Sequence, residues 1–125
     1  ELVLCTDFAL MPDPELSTLP IIVSPDDLAV WLAANGESAT EYWVQFHKKT
    51  SPYFTVTLPE LIDAALCYGW IDVKGRRVDE HLTAIRFTPR RPKSNWSETN
   101  RAAARRLIAA GRMRPQGLAR LPEDF

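Results

Sequence analysis

The sequence predicts an α+β domain, with helices packed on a small mixed β-sheet and elements in the order β-α-β-α-β-β-α-α. Two observations lead to this fold class. Segments that begin with helix caps alternate with short segments rich in aromatic and β-branched residues. In addition, 125 residues with 46% hydrophobic and 25% charged side chains are enough for one domain with a hydrophobic core.

One domain is predicted at residues 20–125, and residues 1–19 are predicted to form an arm or a partly ordered leader. The leader contains Pro12 and Pro14 and has no hydrophobic period. No repeat divides residues 20–125, and the longest apolar runs are too short for a transmembrane helix.

The first half of the domain is predicted to fold as strand, helix and strand. Residues 19–23 (LPIIV) form a short apolar run that favours a buried strand. Ser24, followed by a proline and two aspartates, is a typical helix N-cap, and Gly36 ends that helix. Residues 41–48 are mostly aromatic or β-branched and alternate between two faces, which favours a second strand.

A second helix and a pair of strands are predicted in the middle of the chain. Thr57 opens the helix, and Gly69 ends it. Residues 70–73 and 82–87 are predicted strands, and Lys74-Gly75 is interpreted as the turn signal after the first of them.

Two helices are predicted at the end of the chain. Ser97 caps a run of good helix formers that Gly111 closes. Pro115 then begins a short helix to Leu121.

Opposite charges are concentrated in different parts of the sequence. Residues 1–73 carry 11 acids and 2 lysines, whereas residues 74–120 carry 13 basic residues and 3 acids. Either the acidic part docks on the basic part inside the fold, or the basic part presents a surface to an external anion. The total charge of −1 makes a dedicated nucleic-acid-binding protein the less favoured class.

The segment at residues 83–96 (TAIRFTPRRPKSNW) is the strongest candidate binding site. Its prolines prevent a helix, and its crowded cations lead to a predicted helix start, where backbone N–H groups also attract anions. Arginine forks and a stacking tryptophan suit a phosphate or a carboxylate. The other interpretation is that the arginines pair with acids of the first half and that the tryptophan is core. The predicted anion-binding residues are Arg86, Arg90, Arg91, Lys93, Trp96 and Ser97.

Trp70 and Asp72 belong to a second candidate pocket. They share one face of a predicted strand, where a carboxylate beside an indole could act as an acid or a base. The more ordinary role for Asp72 is to pair with Arg76 or Arg77, and Trp70 is expected to pack under the last long helix. The sequence therefore favours binding over catalysis, and no catalytic residue is assigned.

The cysteines and histidines do not indicate a nucleophile or a metal site. Cys67 lies in an apolar helical segment, and no third group orients a pair formed by Cys67 and His81. The two histidines and two cysteines lack the spacing of metal ligands, so neither a metal nor another cofactor is predicted. The distant Cys5 and Cys67 favour free thiols in a reducing compartment, the cytoplasm.

Three linked motifs stand out: CYGWID at residues 67–72, RFTPRRPKSNWS at residues 86–97 and GRM at residues 111–113. In order and spacing, and together with WLAAN at residues 31–35, they resemble the YdeI/OmpD-associated family, also called bacteriocin-protection proteins. The resemblance covers about residues 20–120.

The resemblance implies a small intracellular bacterial protein linked to tolerance of antimicrobial peptides, with a porin or another protein as partner. It implies no established reaction. The expected function is therefore a binding or stress-protection protein with a cationic surface near residues 86–96. An enzyme or sensor for an anionic small molecule is the alternative, and a nucleic-acid-binding module is the third.

Overall fold

The computed structural model describes residues 14–91 and 96–125, and these residues contain four α-helices, a 3-10 helix at Leu16–Thr18 and one three-stranded sheet. The predicted α+β class is confirmed, and so is the order of the elements from the first predicted helix onward, but the three-stranded sheet is antiparallel and not mixed. Most of the predicted arm lies outside the described residues. The helices are α1 (Pro25–Asn35), α2 (Leu58–Cys67), α3 (Glu98–Ala109) and α4 (Pro115–Leu118), and the strands are β1 (Tyr42–His47), β2 (Trp70–Arg77) and β3 (Leu82–Pro89).

The central strand of the sheet is β3, with β1 and β2 antiparallel on either side of it. Before α1, the chain joins the outer edge of β1 through one parallel bridge between Ile21 and Gln45. The Ile22 N–H donates to the Gln45 carbonyl at 2.8 Å, and the Gln45 N–H donates to the Pro20 carbonyl at 2.9 Å. The strand predicted at residues 19–23 is reduced to this bridge, because Pro20 has no N–H to extend the ladder.

Strand β2 is longer than predicted, since Lys74-Gly75 lies inside it and does not form the turn. A shift in register between Asp72 and Lys74 marks a β-bulge against β3. The chain reverses at Asp79, whose Oδ1 accepts the N–H groups of His81 and Leu82, both at 2.8 Å. An aspartate turn therefore makes the reversal that the lysine–glycine pair was predicted to make.

Side-chain caps begin α1 and α2 where the sequence predicts the helix starts. Asp27 Oδ2 accepts the N–H groups of Val23 at 2.9 Å and Ser24 at 3.3 Å. The Thr57 N–H donates to Glu60 Oε1 at 2.8 Å, and the Glu60 N–H donates back to Thr57 Oγ1 at 3.3 Å. These bonds satisfy N–H groups that a helix start leaves open. Among the described residues, no helix combines the length and the apolar character needed to cross a membrane.

Two clusters of buried side chains stabilise the part of the chain that the structure describes. The larger one lies between the sheet and helices α1 and α2, and it includes Leu28, Trp70 and Phe87. The smaller one joins α2 to α3 and to the C-terminal segment, and it includes Trp96 and Leu107. Because α2 contributes to both clusters, its C-terminal end is where the two halves of the molecule meet.

Trp70 packs beneath α1, so the prediction that it lies under the last long helix is wrong. Its ring meets the Trp31 ring edge-on with 5.8 Å between centroids, and its Nε1 donates to the Gly36 carbonyl at 3.3 Å. Only 1% of the residue is exposed. The start of β2 is covered by α1, whereas α3 packs mainly on α2.

Candidate functional site

Arg90, at the centre of the predicted anion-binding segment, is a buried residue that is 5% exposed. Its guanidinium carbon lies 4.0 Å from the centre of the Trp96 ring. The backbone N–H of Arg90 donates to the Gly69 carbonyl at 2.8 Å. Burial lowers the pKa of Arg90, and the carboxylate of Asp72 opposes this shift. The cation of Arg90 is therefore engaged inside the fold.

The other residues of this segment do not converge on one site. Arg91 is exposed, whereas Trp96 is buried beneath Arg90. Ser97 is the N-cap of α3, and its Oγ accepts an N–H group of the first turn at 3.1 Å. Lys93 lies outside the described residues. Within its described residues, the segment thus combines structural contacts with one exposed cation, Arg91.

Arg86 forms an ion pair with the acidic first half of the chain. Its Nε lies 2.7 Å from Glu41 Oε1, and both side chains are partly buried. A second pair of this kind joins Arg106 to Asp63, with 2.9 Å between Nη2 and Oδ1. Part of the charge asymmetry of the sequence is therefore neutralised within the fold.

The sheet register places Trp70 and Asp72 on one face of β2, as the sequence predicts. They lie opposite Pro89 and Phe87 of β3. Trp70 is core, and Asp72 is partly exposed and acts electrostatically on Arg90. Neither residue lines the cleft described below.

Cys67 and His81 lie at opposite ends of the sheet. Cys67 precedes the start of β2, which pairs with the end of β3, while His81 immediately precedes β3. A strand of this length separates its two ends by about 25 Å. This distance excludes direct contact between the thiol and the imidazole. Within residues 14–91 and 96–125, no three histidine, cysteine or acidic side chains come together as metal ligands.

A cleft of about 190 Å³ opens between α1, α2 and the connection from α3 to α4. Its apolar surface comes from Ala29 of α1 and from Ala64 and the buried Cys67 of α2. Burial raises the pKa of the Cys67 thiol, and the nearby Arg112 and Arg114 only partly oppose this shift. The thiol is therefore protonated at neutral pH and acts as part of the apolar lining.

Opposite charges line the two sides of this cleft. Asp26, in the first turn of α1, lies on one side, and Arg112 and Arg114 of the α3–α4 connection lie on the other. All three residues are exposed. In contrast to Arg86 and Arg106, none of them forms an ion pair with another described residue.

The backbone of the α3–α4 connection is held by hydrogen bonds that set the positions of the two arginines. The Arg112 N–H donates to the Leu107 carbonyl at 2.9 Å, and the Arg114 N–H donates to the Cys67 carbonyl at 3.0 Å. Met113, between them, packs into the smaller cluster. The connection is thus tied to both α2 and α3, and the two arginines that flank Met113 line the cleft.

Helix α4 packs closely on the end of α2, beside the cleft. Gly117 lies so near the end of α2 that a Cβ atom there would be 2.4 Å from the Cys67 carbonyl oxygen. Nη1 of Arg120 donates to the carbonyls of Gly69 and Arg90, both at 3.4 Å. These contacts tie the C-terminal segment to the turn after α2 and to the end of β3.

A wider and more open depression of about 720 Å³ adjoins the cleft. It shares Tyr68 and Arg114 with the cleft and extends along α1 to Ala33 and Glu37. Tyr68 packs against both hydrophobic clusters, so its position is fixed. The cleft and the depression together form a groove beside α1.

The predicted site residues do not include Arg112 and Arg114, although the sequence carries a local signal for them. They alternate with Met113 in a short run bounded by Gly111, which ends a helix, and Pro115, which begins one. Such a run predicts a fixed connection with two outward cations. The packing of this connection on α2 is a long-range contact that the local pattern does not reveal.

Comparison with known families gives one result that bears on identity. A family model described as a domain of unknown function, DUF8412, matches residues 21–120. No curated protein and no solved structure matches the chain.

The resemblance to the YdeI/OmpD-associated family is therefore wrong, and the porin partner and antimicrobial-peptide role lose their support. The motifs misled because several of their residues are structural. Gly69 has a positive φ of 79°, Trp70 is core, and Ser97 is a helix cap. Such residues serve packing and backbone geometry in many folds. With four-fifths of its length matched, the chain belongs to the DUF8412 family, whose function is unknown.

Proposed function

We propose that this domain is a non-catalytic, sensor-type binding module that holds a small anion in the cleft between α1, α2 and the α3–α4 connection. The observation that carries the proposal is the placement of Arg112 and Arg114. Both line the cleft, and neither forms an ion pair with a described residue. Arginine side chains bind carboxylates and phosphates through paired, charge-assisted hydrogen bonds.

The rigidity of the connection supports binding at this place. The backbone N–H groups of Arg112 and Arg114 both donate to α-helical carbonyls, and Met113, the residue between them, packs against the smaller cluster. A binding site whose backbone is already ordered loses less conformational entropy when the ligand arrives. The two cations therefore need only side-chain adjustment to meet an anion.

The contacts of the cations favour the cleft over the surface near residues 86–97. Arg86 is paired with Glu41, and Arg90 is stacked on Trp96 and largely removed from water. An anion at that surface would compete with contacts that the fold already makes. Arg91 is exposed, and it makes this surface the second candidate site.

The chemistry of the cleft favours binding over catalysis. Cys67 is the nucleophilic side chain of its lining, and burial raises the pKa of this thiol. A protonated thiol is a poor nucleophile. The other residues considered for chemistry, Asp72 and His81, lie elsewhere in the fold.

The test compares a variant that removes both cleft arginines with a variant that removes the exposed arginine of the other candidate surface. Binding of propionate and of inorganic phosphate is measured by titration calorimetry and by NMR for the wild type, for Arg112→Ala with Arg114→Ala, and for Arg91→Ala. We expect the double variant to weaken binding by roughly tenfold or more, and Arg91→Ala to leave it unchanged. The wild-type affinity should fall with added salt, since the arginines are exposed.

The location of the bound anion can be checked with Cys67. In a Cys5→Ser background, an anion in the cleft should slow the reaction of Cys67 with a small neutral thiol reagent. Loss of binding in Arg91→Ala with retention in the double variant would move the site to the surface near residues 86–97. Absence of binding of both probes by the wild type would contradict the proposal as a whole.

A further inference from the structure

The acidic side of the cleft has a carboxylate that makes no hydrogen bond or ion pair with another described residue. Asp27 accepts the N–H groups of Val23 and Ser24 and thereby caps α1. Asp26, the preceding residue, lines the cleft and makes no hydrogen bond or ion pair with the residues that the structure describes. The start of α1 thus has its cap without Asp26, whose carboxylate is available to a ligand.

The charges of the cleft are separated and not paired. Asp26 lines it from α1, while Arg112 and Arg114 line it from the α3–α4 connection. No ion pair joins these described residues across the cleft, so a gap lies between the carboxylate and the guanidinium groups. A ligand that carries both an ammonium and a carboxylate group would meet an opposite charge on each side.

The size and the lining of the cleft limit the ligand further. Its volume of about 190 Å³ is several times the roughly 30 Å³ that a water molecule occupies in the liquid. The cleft therefore has room for a small organic molecule and is large for a single inorganic ion. Ala29, Ala64 and the protonated Cys67 provide an apolar surface for a short aliphatic group.

We infer that the cleft binds a small zwitterion of the amino-acid class with a short apolar side chain. Asp26 receives the ammonium group, and Arg112 and Arg114 receive the carboxylate. The apolar group of the ligand faces the two alanines and the thiol. This inference rests on the proposed function, since it uses the same cleft and the same arginines, and it adds the chemical class of the ligand.

The test compares ligands that differ only in the ammonium group. Glycine, L-alanine, L-valine and L-leucine are each titrated beside the carboxylate of the same carbon skeleton: acetate, propionate, isovalerate and 4-methylpentanoate. The protein is the dialysed wild type, Asp26→Asn, or Glu98→Gln. The last variant is a matched control, because it removes an acid from the first turn of α3, outside the cleft.

We expect at least one amino acid to bind the wild type and Glu98→Gln roughly tenfold more tightly than its matched carboxylate. In Asp26→Asn this preference should disappear, while the affinity for the carboxylate is kept. Equal affinities within every pair, or a preference that survives in Asp26→Asn, would overturn the inference and leave the proposed anion site intact. If no carboxylate and no amino acid binds, the inference is wrong, and the proposed anion site then depends on the result of the phosphate titration.

Discussion

The guanidinium of Arg90 stacks on the ring of Trp96 at 4.0 Å, and this contact joins the region after β3 to the start of α3. Arg90 is 5% exposed and Trp96 is 8% exposed, so the pair lies in the interior. A cation held against an aromatic face away from water contributes more than one at the surface. The central arginine of the predicted anion-binding segment at residues 83–96 therefore has a structural role.

Arg90→Ala should lower the free energy of unfolding by about 2–3 kcal/mol, because it removes buried packing and the contact with Trp96. Arg91→Ala is the matched control, and it should change stability by less than about 0.5 kcal/mol, since Arg91 is exposed. Urea denaturation of both variants checks this. Equal effects of the two substitutions would show that the Arg90 contact does not stabilise the fold.

Gly69→Ala should destabilise more than Gly111→Ala. Both glycines have positive φ, 79° and 72°, so each alanine pays a backbone cost of about 1 kcal/mol. At Gly69, a Cβ would also lie 2.8 Å from Cδ of Arg120 and 3.0 Å from the Gln116 carbonyl oxygen. At Gly111, nothing lies within 4 Å. Thermal unfolding of the two variants measures the steric difference, and identical melting temperatures would contradict it.

Most helix starts and turns of this fold could be predicted from the sequence, because interactions between residues close in the chain determine them. Ser24 and Thr57 occur before helices whose first N–H groups need acceptors, and Gly69 occurs where the chain must take a positive φ. Lys74-Gly75 is the exception, because glycine suits the continuing, bulged strand as well as a turn. The aspartate at position 79, with its two N–H partners, decided where the reversal occurs.

Long-range packing is what the sequence did not predict. The α3–α4 connection reaches the cleft because the Arg114 N–H donates to the Cys67 carbonyl. Gly117 packs against the same carbonyl, and both residues are far from Cys67 in the chain. The charge pattern identified the cationic half correctly, but not which arginines are engaged. Arg86 found a partner in Glu41, and Arg112 did not find one among the described residues.

Trp70→Ala should cost about 3–5 kcal/mol, because the residue is 1% exposed and its removal leaves a large cavity beneath α1. The loss should also change the environment of Trp31, whose ring lies 5.8 Å away. Chemical denaturation gives the free energy, and the indole N–H resonance of Trp31 reports the local change. A variant of normal stability would contradict the core position of Trp70.

The turn at Asp79 should make part of the stability depend on pH. Hydrogen bonds from the N–H groups of His81 and Leu82 lower the pKa of this carboxyl below its usual value. Its contribution is therefore present above about pH 4 and is lost as the pH falls through the lowered pKa. Asp79→Asn keeps an acceptor oxygen but does not titrate.

The midpoint of urea unfolding should consequently fall less for Asp79→Asn than for the wild type between about pH 5 and about pH 2. Glu123→Gln is the control, since this exposed acid caps nothing in the described chain, and it should follow the wild type. If the urea midpoints of the wild type and Asp79→Asn fall equally with pH, the ionised Asp79 carboxylate does not stabilise the turn.

Gly117→Ala should displace α4 and open the cleft, which connects the packing of the fold to the proposed site. A Cβ at this position would lie 2.4 Å from the Cys67 carbonyl oxygen. Because this oxygen belongs to the backbone, the clash can be relieved only if α4 moves away from α2. We expect a loss of about 1–3 kcal/mol in stability. In a Cys5→Ser background, Cys67 should also react faster with a neutral thiol reagent, and propionate binding should weaken.

Gly75→Ala is the control, because its Cβ would meet no atom closer than 3.9 Å, and it should leave all three quantities near the wild-type values. If Gly117→Ala keeps the wild-type stability and thiol reactivity, the contact between α4 and α2 does not shape the cleft.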